Sequence, residues 1–211
     1  MNAMPDLYSN VHLIMRWLHV LAGIVWIGHL YFFNFVNVPL QGALDDATKK
    51  LVNPQLLPRA LWWFRWGAMV TLLAGLVLFV MNYFYTGGGT FGPTNLLLDP
   101  MTGRMTSRAM WILFGMLLGT IMWFNVWFVI WPAQKALLTG KVPSDKAPAV
   151  RKKALLFSRT NTYLSGPMLF GMLAPAHYGA INFPVLLLAV ALGIIAIWVS
   201  IRSSAKVGKL K

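Results

Sequence analysis

"RWLHVLAGIVWIGHLYFFNF", residues 16–35, sets one arginine and two histidines in a stretch otherwise as apolar as a lipid tail. Its length decides the fold class, because about 20 apolar residues rising about 1.5 Å each cross the roughly 30 Å hydrocarbon core of a bilayer. Taking this run as 17–38, comparable runs follow at 66–85, 109–131, 160–178 and 183–201. The sequence therefore predicts an all-α integral membrane helix bundle of about five transmembrane helices, one membrane domain over residues 1–211. A hydrophobic content of 58% against 11% charged residues agrees. The run at 160–178 contains Asn161, Thr162, Ser165, Pro167 and Pro175, so a kinked or broken helix is expected there.

The net charge of +13 would suggest nucleic acid for a soluble protein, but its placement argues for lipid. Lys49, Lys50, Arg59 and Arg65, then Lys135, Lys141, Lys146, Arg151, Lys152, Lys153 and Arg159, then Arg202, Lys206, Lys209 and Lys211 all fall on one side of the five runs. Only Arg16, Arg104 and Arg108 fall on the other. The positive-inside rule then puts the N-terminus outside and the C-terminus in the cytoplasm of a bacterial inner membrane, with the basic side against anionic headgroups and no nucleic acid as partner. Arg65 and Arg159, at the cytoplasmic rim, are expected to snorkel.

The chain has no cysteine, which excludes disulfides, iron–sulfur ligation and covalent attachment of c-type haem. All five acidic residues, Asp6, Asp45, Asp46, Asp99 and Asp145, lie outside the apolar runs, so a proton pump or cation-coupled carrier lacks its usual relay. The first run is too long to be a cleaved signal peptide. Residues 86–108 read as an irregular outer loop ending at Ser107 as helix N-cap, and 133–153 as a basic, partly ordered linker. Reading along the chain, no internal repeat is evident. Gly115 and Gly119 form a small-residue groove for another helix, and Trp62, Trp63, Trp66, Tyr83, Tyr85, Trp127 and Trp131 fit interfacial aromatic belts.

Ionisable groups inside a membrane are functional candidates, although a neutral histidine can also be a pin that donates one hydrogen bond. Of His12, His19, His29 and His177, the last is the only one outside the first helix. His177 is expected at about the depth of His19, and two imidazoles on different helices at one depth suit the axial positions of a b-type haem. His29, deeper and on another face, is the alternative metal ligand. Arg16, one turn from His19, is placed to neutralise a propionate. Asn34, Asn37, Asn125 and Asn161 either line a polar pocket or join helices.

The blocks "RWLHVLAGIVWIGHLYFFNFV" (16–36), "WFNVWFVIWPAQK" (123–135) and "SRTNTYLSGPMLFGMLAPAHY" (158–178) together resemble the membrane-embedded N-terminal domain of the bacterial urate hydroxylase (urate oxidase) family. Arg16, His19, Trp26, Gly28, Trp131, Pro132, Arg159, Asn161, Pro167, His177 and Tyr178 are the matching positions, and His29 departs from the small residue expected there. The resemblance implies a membrane redox module, with Trp26 and Gly28 joining His19, His177 and Arg16 around a cofactor. Family members carry a cytochrome c domain after the membrane portion, and a separate periplasmic cytochrome c is the expected electron acceptor here. The leading expectation is a b-type haem protein that passes electrons from a urate-like purine or a quinone to that cytochrome. The alternatives are a urate-oxidising subunit that needs a separate cytochrome and a cofactor-free accessory subunit packed into a larger membrane complex through the Gly115–Gly119 face; a second copy of the chain (a homo-oligomer) is a further expected partner.

Overall fold

The computed structural model describes residues 6–179 and 181–208; Lys209 and Lys211, counted above among the tail's basic residues, lie outside them. Five long helical passes run antiparallel, as the composition requires. The first is α1 (Leu7–Tyr31), continued by a π-helical turn (Phe32–Asn37) into α2 (Val38–Ala43). The second is α3 (Asp46–Tyr83), followed by a small hairpin of β1 (Tyr85–Gly87) and β2 (Thr90–Phe91). The third is α4 (Ser107–Phe124), continued by a second π-helical turn (Asn125–Ile130) into α5 (Trp131–Leu138). The fourth and fifth are α6 (Ala147–His177) and α7 (Phe183–Ser204). The passes Leu7–Ala43, Asp46–Tyr83, Ser107–Leu138 and Phe183–Ser204 are long and apolar enough to cross a membrane.

The helices start earlier than hydropathy suggests, because capping rather than apolarity sets their ends. Asp6 accepts the Ser9 N–H and starts α1 ten residues before the apolar run; Asp45 accepts the Thr48 N–H and starts α3. Thr106, not Ser107, caps α4 by accepting the Ala109 N–H. The expected linker at 133–153 is largely α5 and the first turns of α6. The expected break in the fourth pass is absent: α6 runs unbroken through Pro167 and Pro175. Its neighbours sustain it, for α6 is the central helix, packed between α4 and α7 and touching α1 near the first π turn.

Glycine makes that packing close. A Cβ on Gly115 would lie 3.0 Å from the Gly171 carbonyl carbon, and a Cβ on Gly193 would lie 2.6 Å from the Pro167 nitrogen. The Gly115 surface is therefore covered by α6 within the same chain. That corrects its expected use as a face for a larger complex: its small side is consumed where α4 and α6 cross. Alanine at Gly166 or Gly193 should force α6 and α7 apart and lower stability by about 1–3 kcal/mol, read as a fall in the thermal midpoint in detergent. Alanine at Gly28, where no heavy atom lies within 4 Å of a new Cβ, should not destabilise the bundle.

Candidate functional site

Two ends of the bundle can be distinguished: a loop end, with Asp6, the 84–106 segment and His177, and a basic end, with the α3 and α6 starts. His12, His19 and His177 lie toward the loop end, His29 lies deeper beside the first π turn, and the four do not converge. His19 donates from Nδ1 to the Thr71 carbonyl at 2.8 Å, and its ring fills the notch at Gly75, where an added Cβ would lie 2.9 Å from His19 Cε1. His177 ends α6 exposed, in an open cavity of about 660 Å³ with Asp99, Arg108 and Tyr178. Trp127 Nε1 donates to the Arg65 carbonyl and Gly115 packs on Gly171, which puts Gly75, and His19 with it, about level with residue 169 of α6. His177 lies eight residues farther along that helix, about 12 Å above His19. The equal depth expected for the two fails because α6 stays helical through Pro175 and carries His177 beyond that level.

A haem held on both faces needs its axial nitrogens about 4 Å apart, twice a metal–imidazole bond. The pair as placed does not meet that requirement. His19 alone fits an axial ligand, since donation from Nδ1 to a carbonyl leaves Nε2 bare, the arrangement typical of metal-bound histidine. His29 donates from Nδ1 to Val25 O at 2.7 Å, within its own helix. Arg16 does not turn to His19; its Nη2 lies 3.4 Å from His12 Nε2, which is 3.2 Å from Asn82 Oδ1. Trp26 is buried with its Nε1 unpartnered, and Gly28 is exposed on the other side of α1.

A second constellation lies toward the basic end, where the π turns sit. Asn125 donates to Asn161 Oδ1 at 2.8 Å, and Asn161 donates to the Met122 carbonyl at 2.9 Å. Asn34, fully buried, donates to the Leu30 carbonyl at 2.9 Å and to Ser158 Oγ at 2.8 Å, while its Oδ1 has no partner. Tyr31 donates to Ser165, 3.0 Å away, and Ser165 donates on to the Thr162 carbonyl. Nearby lies a cavity of about 110 Å³ lined by Phe33, Asn37, Leu61, Phe64, Gln134, Arg151 and Ser158, among others. A π turn inserts one residue and leaves neighbouring carbonyls imperfectly paired, a departure often found at functional sites. Asparagine density inside a bilayer is the signal for this site, but sequence does not say that three passes bring it to one level.

Arg65, expected to snorkel, is instead caged: its Cζ lies 4.1 Å from the Trp131 ring, 5.0 Å from Trp127 and 5.6 Å from Trp66. Trp127 Nε1 also donates to the Arg65 carbonyl at 3.2 Å. With no carboxylate in the bundle, ring faces are the counter-charge at hand. Replacing Asn161 by alanine should orphan the buried Asn125 amide and cost about 1–3 kcal/mol in unfolding measurements, whereas Thr160→Ala, on the exposed side of α6, should be nearly neutral.

In the loop-end cavity, the backbone N–H groups of Thr102 and Met101 hold the Asp99 carboxyl below the usual carboxylate range. A depressed native value stabilises the loop above the unfolded pKa of about 3.9 and loses that effect as pH falls through the native one. Proteolysis of the 84–106 segment should therefore accelerate only below about pH 4.

The family model described as urate oxidase N-terminal matches residues 41–106 and 95–207. The blocks at 123–135 and 158–178, with Asn125, Asn161 and both walls of the α4–α6 contact, lie inside the matched residues; the block at 16–36 precedes them. No curated protein and no solved structure matches the chain. With most of its length covered, the chain belongs to the urate oxidase N-terminal family.

Proposed function

We propose that this chain is the membrane module of a urate-oxidising system, set in a bacterial inner membrane with its N-terminus outside, and that it hands electrons to a separate periplasmic cytochrome c. The observation that carries this reading is the buried polar cluster at the two π turns, left incompletely paired at Asn34 Oδ1, within a chain of this family. In a bilayer, polar groups without partners are costly, and a purely structural bundle has every reason to replace them. Urate is a flat ring system carrying amide N–H donors and carbonyl acceptors, and its N–H groups are the chemistry that an unpaired amide oxygen calls for. Its hydroxylation by water releases two electrons and two protons, so an electron acceptor is required. A lysine- and arginine-rich basic end draws the monoanionic purine toward the membrane.

A second reading, a b-type haem, is favoured by one observation: His19 is fixed with Nε2 bare. A haem would supply one-electron transfer, and His19 is the residue that would hold it on one face. His177 and Arg16 would remain solvent-side groups.

The test is urate-dependent reduction of added cytochrome c by the purified protein in nanodiscs. The expected result is reduction that depends on both urate and the protein; none, with the protein folded and urate in excess, overturns the enzyme reading. A reduced-minus-oxidised visible spectrum of protein made with haem supplied decides the second reading. If haem bands appear, His19→Ala should abolish them and His177→Ala should leave them.

A further inference from the structure

The two π turns lie 93 residues apart, at 32–37 and 125–130, and the sequence around them repeats at the same spacing. Phe35-Val36-x-x-Pro39-x-Gln41-x-Ala43-Leu44 recurs as Phe128-Val129-x-x-Pro132-x-Gln134-x-Ala136-Leu137. One residue further out of step, Ala60-Leu61-x-x-x-Arg65 in α3 recurs as Ala154-Leu155-x-x-x-Arg159 in α6, and the buried positions 67, 68 and 71 correspond to the buried 161, 162 and 165. Each hairpin, α1–α3 and α4–α6, is a helix with a π turn, a proline-started extension and a long return helix. The bundle is thus two copies of one hairpin in the same orientation, plus α7. Hydropathy hides this repeat because its two halves have diverged in polarity.

The cavity of about 110 Å³ lies between the copies, since its lining comes in equivalent pairs: Asn37 with Ile130, Leu57 with Arg151, Leu61 with Leu155, and Phe64 with Ser158. Parallel repeats of this kind place binding sites at the interface between halves. The pairs also act as an internal control. At the same places in the same fold, α3 carries Phe64, Gly67 and Ala68 where α6 carries Ser158, Asn161 and Thr162. Asn161 has a structural use of its own in the α4–α6 clasp, but Phe64 shows that the hairpin tolerates an apolar residue at the Ser158 position, so closing the hairpin does not by itself require that hydroxyl.

The geometry points to this cavity as the binding site of a planar, monoanionic heterocycle that offers an amide N–H beside a carbonyl. The inference rests on the proposed function and deepens it by naming the site. Ser158, which lines the cavity and accepts from Asn34 Nδ2, keeps its own hydrogen to donate, and Gln134 brings an amide oxygen and amide N–H groups to the same lining. Exposed Arg151 sets a positive charge at the mouth, and Phe64, edge-on to Phe33, gives a flat apolar wall. An oxidised quinone brings acceptors only and would leave the Gln134 amide oxygen in the lining unmatched.

The experiment measures urate binding to the full-length protein in nanodiscs by calorimetry, with uracil and a short-chain ubiquinone as competitors. Ser158→Ala and Asn37→Ile, the latter installing the residue found at the equivalent position 130, should each weaken urate binding about tenfold or more, the loss of one good hydrogen bond. Both variants should keep the parent's helical content and a cooperative melt, with a lower midpoint for Ser158→Ala because Asn34 loses one acceptor, and Thr86→Ala, in the distant hairpin, should bind as the parent does. Uracil should compete and the quinone should not. Parent-like affinity in both variants, competition by the quinone instead of uracil, or no urate binding by the parent overturns the assignment. Cytochrome c reduction is read separately. Urate-driven reduction alongside parent-like affinity in the variants sinks this site and leaves the proposed function standing; Ser158-dependent binding without electron transfer does the reverse.

Discussion

The clasp of Asn125, Asn161 and the Met122 carbonyl is the interaction on which the bundle's arrangement depends. Inside a bilayer an amide finds no water, so each donor must meet an acceptor on a neighbouring helix or drag the helix out of the membrane. By bonding at once to the side chain and the main chain of the α4 pass, Asn161 fixes the rotation and depth of α6 together. Everything α6 touches inherits that setting: the glycine contacts with α4 and α7, the Ser158 bond to Asn34 and the Ser165 bond to Tyr31. Association energy in lipid comes from close packing and such hydrogen bonds, since tails and leucines are equally apolar. Glycine brings the backbones near, and asparagine sets the register.

That division of labour explains why α6, the least apolar of the five passes, is the central one. Its polar side faces protein on α1 and α4, and its glycines face α7 and α4. A helix with Asn161, Thr162 and Ser165 on one side could not stand at the perimeter, where lipid would meet those groups. The peripheral helices show the converse: α7 exposes Leu187, Leu188, Leu192 and Ile195 outward.

Much of this was legible from residue order. Run length revealed the helical membrane class, and polar residues in apolar runs singled out the asparagines. Helix ends were not legible, because Asp6 and Asp45 set them by accepting backbone N–H groups well outside the hydrophobic windows. Window edges misjudge histidine depth for the same reason, since α6 stays helical past Pro175 to His177. Arg65 illustrates another limit: its three tryptophans come from α3, α4's continuation and α5, and no local pattern reveals a cage assembled across passes. The duplicated hairpin escaped notice because hydropathy compares character, whereas the copies agree in backbone irregularity and differ in polarity.

The paired π turns also decide how the far ends of two passes are attached. A π turn is a local departure from α-helical winding, and each one here stands directly before a proline-started segment, α2 or α5. Neither segment is therefore a stiff prolongation of the helix it follows: each joins its pass through the least regular stretch of that pass, and can tilt at that joint without disturbing the glycine contacts nearer the loop end.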